Sequence, residues 1–149
     1  AILQYAEEKY AEAKQTGMDF TIALVDLDYF KRFNDKYGHD VGDEVLVTFA
    51  LACGDTLRKQ DRFGRYGGEE WLLVLSDTTK EEIASIFKRL RSKFNEYDID
   101  GVPSQNIRCF SMGVAEYKRG ADKSVQSMIN RADKNLYKAK DQGRDQLIQ

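Results

Sequence analysis

The sequence predicts an α+β domain in which helices pack against a central, mostly antiparallel sheet. Three observations carry that prediction. Residues 20–25 are an apolar run bounded by polar residues, the pattern of a strand covered on both faces. Two further strand-like runs, residues 62–66 and 71–75, meet across Gly67-Gly68 and read as a hairpin. Around these strands the apolar residues recur at helical spacing, in the order helix, strand, two helices, hairpin, helix, strand, helix.

Residues 2–14 form a charged helix pattern, and residues 20–27 follow as the buried strand. Residues 29–37 read as a short helix that Gly38 can end. A longer helix over residues 41–59 puts Val41, Val45, Leu46, Phe49, Ala52, Cys53 and Leu57 on one side. Asp40 reads as its N-cap and Asp43 as a first-turn acid favoured by the helix dipole. The hairpin is expected to turn through Gly67-Gly68 with positive φ, as a primed turn requires, leaving Glu69 and Glu70 at its tip. After Thr78-Thr79, the apolar residues Ile83, Ile86, Phe87, Leu90 and Phe94 have core spacing rather than the look of a cofactor site. Residues 98–105 are the one loop-like stretch. Residues 107–117 then read as a strand and residues 125–140 as the last helix, stopped by Gly143. With one proline, Pro103, and no repeat or low-complexity segment, residues 1–149 make a single domain.

A chain of 149 residues, 42% of them hydrophobic, can bury a core without disulfide or metal staples. Its 23 lysines and arginines against 25 acids leave a net charge of −2, so a general electrostatic case for nucleic acid is missing. Cys53, in a helix pattern, and Cys109, in a strand pattern, read as buried thiols of a reducing compartment rather than as a disulfide or metal ligands. No stretch approaches the roughly 20 apolar residues of a membrane span, and no signal-peptide pattern opens the chain. The expected domain is therefore cytoplasmic, without membrane contact of its own. Because the chain starts at Ala1 and directly in a helix pattern, it reads as a fragment of a longer protein whose sensory or membrane part lies outside it.

The chemistry concentrates in two acidic pairs at strand ends. Asp26-Leu27-Asp28 follows the first strand, and Glu69-Glu70 follows the two glycines. Carboxylates from neighbouring strands can share Mg²⁺, a hard cation that prefers oxygen and keeps part of its coordination for water and substrate phosphate. Taken alone, such a turn is more often solvated surface. Adjacent residues on an extended strand point to opposite sides, so only the twist of the turn can bring both glutamates to one ion. Asp28 reads as structural, bonding nearby backbone or a lysine. The single histidine, His39, cannot build a zinc cluster.

Residues 26–35 (DLDYFKRFND), 37–43 (YGHDVGD) and 65–71 (RYGGEEW) together resemble the GGDEF family of diguanylate cyclases. Residues 111–115 (SMGVA) and 131–140 (RADKNLYKAK), followed by Gly143-Arg144, are similar to that family's closing strand and helix. The likeness covers nearly all of the chain, in order and with matching spacing. It implies a palm-like nucleotidyl cyclase fold and the condensation of two GTP into cyclic di-GMP with release of two pyrophosphates. It further implies Mg²⁺, or Mn²⁺ in its place, and a homodimer formed through this domain or upstream ones, since each domain brings one GTP.

By the same resemblance, Asp26 and Glu70 are metal ligands and the Leu27 carbonyl a third. Glu69 either ligates metal or accepts the 3′-hydroxyl proton. Asn34 and Asp43 pair with the guanine edge, the amides of Phe30 and Lys31 cradle phosphate at a helix start, and Lys140 and Arg144 reach the β and γ phosphates. His39 is a turn residue or a ribose-side contact. Arg58-Lys59-Gln60-Asp61 fits the RxxD pattern that forms an inhibitory product site in this family, with Arg89 supplied by a neighbouring domain. Each assignment has a plainer reading beside it: helix-end cations for Lys140 and Arg144, and a solvated helix face for Arg58 and Arg89. Trp71 stands where the family usually has phenylalanine, a core-packing variant. Two other classes compete with an enzyme, a silent receptor of cyclic di-GMP or GTP and a dimerisation module. The presence of Asp26, Asn34, Asp43, Glu69 and Glu70 together favours catalysis.

Overall fold

The computed structural model describes residues 1–149. In chain order the elements are α1 (Ile2–Thr16), β1 (Phe20–Leu27), α2 (Phe30–Tyr37), α3 (His39–Thr56), β2 (Arg62–Arg65), β3 (Glu70–Ser76), α4 (Lys80–Glu96), β4 (Phe110–Glu116), α5 (Val125–Asp141) and β5 (Leu147–Ile148). The sheet order is β2-β3-β1-β4-β5. β1 runs antiparallel to both β3 and β4, β2 is antiparallel to β3, and only the short β5 is parallel to its neighbour. This is the expected mostly antiparallel α+β architecture.

All eight residues of β1 are buried, and their alternation divides the molecule into two cores. Phe20, Ile22 and Leu24 pack with Ala6 and Ala13 of α1 and with Ile129 and Leu136 of α5. Ala23, Val25 and Leu27 face the other way, into a core with Phe49 of α3 and Ile83, Leu90 and Phe94 of α4. β3 alternates in step, with Leu72 and Val74 on the α1–α5 side and Trp71, Leu73 and Leu75 on the other. Burying these side chains from both sides supplies the stability that eight strand residues could not generate alone.

Gly113 of β4 sets how closely α5 lies on the sheet. A Cβ there would stand 2.1 Å from the Ala132 carbonyl oxygen and 2.2 Å from the Leu136 nitrogen, both backbone atoms. The helix is thus seated on bare strand backbone.

The element ends differ from the sequence expectation for identifiable reasons. α3 begins at His39, not residue 41, because Gly38 at φ 91° ends α2 and serves as the N-cap of α3. Asp40 therefore lies in the first turn instead of capping, and Asp43 lies beyond that turn. α3 stops at Thr56, since Leu57 is already extended and the Asp61 carboxylate takes the Arg58 N–H at 3.0 Å. Residues 107–109 are not part of β4: the Asn95 side chain captures both the N–H and the carbonyl of Arg108, at 2.7 and 2.8 Å. Cys109 accordingly lies before the strand and is only half-buried; Cys53 is buried, and both thiols are free. β5, a two-residue strand beyond Gly143, had no sequence signal.

The hairpin also turns differently. Neither Gly67 nor Gly68 has positive φ. Residues 67–69 share the bend, and the N–H groups of Tyr66 and Gly67 both donate to the Glu70 carbonyl, at 2.9 and 3.2 Å. With three residues to turn in, no primed two-residue geometry is needed. Glu70 is consequently the first residue of β3 and not a tip residue.

Two glycine substitutions test this packing. Gly113→Ala is expected to cost about 2–3 kcal/mol, because backbone must move to admit the methyl group. Gly54→Ala, on an exposed turn of α3 where a Cβ meets nothing within 4 Å, is expected to stabilise by about 0.5–1 kcal/mol. Urea unfolding of both variants measures the difference.

Candidate active site

The site forms where β1 ends and β3 begins. Asp26 is paired in register with Glu70 on β3 and with Ser111 on β4. By strand alternation Asp26 shares a face with Leu24, and Glu70 with Leu72, so both carboxylates stand on the α5 side of the sheet. Asp26 is 7% exposed, and Lys140 near the end of α5 donates to its Oδ2. Glu70 is half-buried. Its pKa is raised above the ordinary glutamate value, first by desolvation and next by the charge of Asp26, with Lys140 pulling it back. Glu69 lies in the preceding bend, and its carbonyl accepts from the Leu27 N–H at 3.3 Å. A strand residue's N–H and carbonyl point the same way, so the Leu27 carbonyl faces this same turn. No three or more His, Cys, Asp and Glu side chains are gathered closely enough to hold an ion by themselves. Asp26 and Glu70 are the two that meet.

The start of α2 lies next along the chain. Tyr29, in the left-handed region at φ 59°, precedes the helix, and no side chain caps it. The first-turn N–H groups, those of Phe30 and Lys31 included, have no partner within the helix and are open to an acceptor. Arg144 comes back to this point from beyond α5, with its guanidinium 5.0 Å from the Tyr29 ring centre. Both cations singled out in the sequence, Lys140 and Arg144, thus flank the strand end and the helix start.

Asn34 lies farther along α2. Its Oδ1 is buried without a hydrogen-bond partner, and it occupies the notch left by Gly42 on α3, where a Cβ would stand 1.7 Å from that oxygen. An unpaired buried amide oxygen costs about 1–3 kcal/mol, which a ligand donor would recover. Asp43 follows Gly42 and is exposed, as is His39 at the first position of α3.

The other predicted site is occupied by its own residues. Arg58 donates from Nε and Nη2 to both Asp61 oxygens, at 3.1 and 3.2 Å. Its Nη2 also reaches the Ser76 carbonyl and the Thr78 hydroxyl, each at 2.6 Å. Glu82 lies 3.6 Å from Nη1. Asp61 is 5% exposed and also takes the Ser76 N–H at 3.2 Å. The reading of Arg58 as a solvated helix face is therefore wrong: it lies past α3 and pins the β3–α4 corner. Arg89 is exposed on α4.

Asp28 is structural, but its partners are not lysines. Oδ1 accepts from the Ser111 hydroxyl at 2.7 Å and Oδ2 from the Asp145 N–H at 2.9 Å. Asp145 is in turn held by Arg91, at 2.6 and 2.7 Å. These residues fix the segment carrying Arg144, and their separations of 54 to 117 positions left no local pattern to find.

The family model for the diguanylate cyclase GGDEF domain matches residues 1–146. The chain belongs to the GGDEF family. This GGDEF domain is 35% identical over 132 residues to the diguanylate cyclase DgcM of Escherichia coli (strain K12), covering 89% of this chain and 31% of that protein. The chain therefore spans about a third of the length of the curated relatives it matches. Among solved structures, the GGDEF domain of DgcB from Caulobacter crescentus in complex with c-di-GMP superposes with a TM-score of 0.89 at 30% identity, over 99% of this chain and 87% of that one. The active GGEEF domain of a diguanylate cyclase from Vibrio cholerae gives 0.87 at 30% identity, over 97% and 91%. The fold is thus that of the GGDEF nucleotidyl cyclase domain, as the sequence implied. In this GGDEF domain Trp71 packs into the α3–α4 core, 5.2 Å from Phe49 between ring centres.

The carboxylate pair makes a prediction that needs no ligand. Followed by NMR, Glu70 should titrate above the usual 4.5. Asp26→Asn should bring that titration down, and Lys140→Met should send it up. A carboxyl raised in the folded state favours folding below its unfolded pKa and loses that advantage as pH rises through the folded value. Glu70→Gln is thus expected to raise the melting temperature near pH 7, and a fall there would contradict this electrostatic reading.

Proposed function

We propose that this domain is an active diguanylate cyclase, which joins two GTP into cyclic di-GMP and releases two pyrophosphates. The observation that carries the reading is the desolvated Asp26–Glu70 pair, set beside a helix start with open amides and two cations. The domain works in the cytoplasm as a homodimer, because the 3′-hydroxyl of one GTP must meet the α-phosphate of the other in line, and each domain holds one.

The donor set suits Mg²⁺ or Mn²⁺. Two carboxylates and the Leu27 carbonyl are hard oxygen donors, and the Glu70 pKa is raised by desolvation first and by the Asp26 charge next, with Lys140 offsetting only part of this. When bound, the ion supplies neutralisation of triphosphate charge. The remaining work belongs to the chain. The Phe30 and Lys31 amides hold phosphate, and Lys140 and Arg144 hold the outer phosphates, Lys140 by leaving Asp26. Asn34 offers its unpaired oxygen to a guanine N–H, Asp43 accepts from the same edge, and His39 borders the ribose. As the new bond forms between the 3′-oxygen and the α-phosphorus, the bond to pyrophosphate breaks and Glu69 accepts the hydroxyl proton.

Product feedback belongs to the same reading. Cyclic di-GMP binds around Arg58 and Asp61 with Arg89 from a second domain, and the Arg58–Glu82 contact at 3.6 Å is the one a product phosphate replaces. The link holds two active sites apart, so inhibition follows from geometry and not from competition for GTP.

Asp26→Ala and Glu70→Ala, assayed in protein dimerised by a fused partner, are each expected to lower cyclic di-GMP synthesis more than ~100-fold. Near-normal turnover in both would overturn the assignment of this carboxylate pair as the metal site, and absence of cyclic di-GMP from the dimerised wild type would overturn the cyclase reading. Arg58→Ala is expected to remove slowing by added cyclic di-GMP while keeping initial turnover, and to melt earlier because Ser76 and Thr78 lose their donor. Progress curves that slow equally in both proteins would rule out the feedback site.

A further inference from the structure

A cavity of about 320 Å³ lies between α2 and the segment 106–109, and Asn34 does not line it. Phe30, Phe33 and Tyr37 form one wall, Ile107 the facing lip, and Val45 and Phe94 the depth. Small-molecule sites are built this way, from apolar walls with a few convergent polar groups. The volume is at the small end of that range and suits a molecule of one or two rings.

Its charges are one-sided. Arg32, Lys36 and Arg108 line the cavity, and Asp28 is the single carboxylate among the lining residues. Both Asp28 oxygens are already engaged, by Ser111 and by the Asp145 N–H. Arg108 is 9% exposed. Its Nε and Nη2 donate to the Phe94 and Tyr97 carbonyls, at 2.5 to 3.2 Å, and its Nη1 makes no hydrogen bond within the chain. It has no carboxylate partner in an ion pair, so burial pushes its pKa down with only the more distant Asp98 opposing. A buried guanidinium lacking a counter-charge is costly, and an anion seated against it would offset that cost. Arg32 and Lys36 also lack ion-pair partners; they lie over the Tyr29 and Tyr37 rings, at 4.7 and 5.2 Å.

We propose that this cavity binds a small aromatic carboxylate, with its rings against Phe30, Phe33 and Ile107 and its carboxylate toward Arg108, Arg32 and Lys36. Occupation is felt at the active site. Leu27, Asp28, Tyr29 and Phe30 line the cavity and are also the chain that runs from Asp26 to the phosphate-holding amides. A ligand braces the first turn of α2 and tightens nucleotide binding; this second part rests on the GTP reading above.

The test uses 2-naphthoate as probe and 2-naphthalenemethanol as its neutral counterpart, titrated calorimetrically into the nucleotide-free domain. The carboxylate is expected to bind at least about 10-fold tighter than the alcohol. Arg108→Gln should erase that preference. Because Arg108 also ties down the end of α4, its loss can unfold the domain. The exposed pair Arg32→Gln and Lys36→Gln is therefore tested as well, with an expected loss of at least about 3-fold for the carboxylate and none for the alcohol. Equal affinity for the two probes, or an unchanged preference in the folded variants, overturns the site. Coupling is read as tighter binding of a non-hydrolysable GTP analogue in saturating naphthoate, and unchanged analogue affinity overturns the coupling alone. A domain that binds no GTP analogue under any condition counts against the cyclase reading, while the cavity is still judged by its preference for the carboxylate.

Discussion

Everything at the active corner depends on the register of β1. A strand buried along its whole length is held by its period of two: shift it by one residue and Phe20, Ile22 and Leu24 would trade faces with Ala23, Val25 and Leu27. The same slip would turn Asp26 from the α5 side into the core around Phe49 and Phe94, where an unpaired carboxylate has no partner. The apolar residues of the strand therefore fix where its acidic end points. Because β3 and β4 are locked to β1 in the same ladders, Glu70 and Ser111 are brought level with Asp26 by packing several residues away from any chemistry.

The corner that results is electrostatically unfavourable by itself. Two carboxylates sit side by side with limited water, and the fold answers from α5. Gly113 lets that helix lie close enough for Lys140 to reach Asp26. Past the helix, the chain is caught again by Asp28, which Ser111 orients from within the sheet, while Arg91 holds Asp145 from α4. Short β5 then closes on β4. A segment with little regular structure of its own is thus tied at several points, and Arg144 is held over Tyr29 as a result. Lone surface ion pairs contribute little to stability; these matter more for where they put the cations.

Much of this was legible in the sequence because the relevant signals are local. The continuous apolar run of β1, the helical spacing of Ile83 to Phe94 and the acidic pairs at strand ends each report a single element, and their order indicated the sheet. The resemblance to the GGDEF segments went further, implying roles for Asp26, Asn34, Glu70 and Lys140, and of these the structure brings Asp26, Glu70 and Lys140 to one corner. What stayed hidden was set by distant partners. Nothing near Arg108 says that Asn95 will take its backbone and delay β4, and nothing near Arg58 says that its guanidinium will be spent on Asp61, Ser76 and Thr78. Gly38 misled for a different reason: it both ends and begins a helix, which a search for one boundary at a time misses. The turn at Gly67-Gly68 failed because two glycines suggested a two-residue loop, whereas Glu69 joins the bend.

Trp71 leaves the domain with a property outside its chemistry. It is the chain's one tryptophan, 4% exposed, adjacent to Glu70 and across the ladder from Val25. Its indole N–H is buried without an acceptor. A fluorophore in so dry a setting emits toward the blue, with no second indole to mix its signal. The corner where β1 ends and β3 begins consequently carries its own optical label, one residue from Glu70, so changes there can be followed by light without attaching a dye.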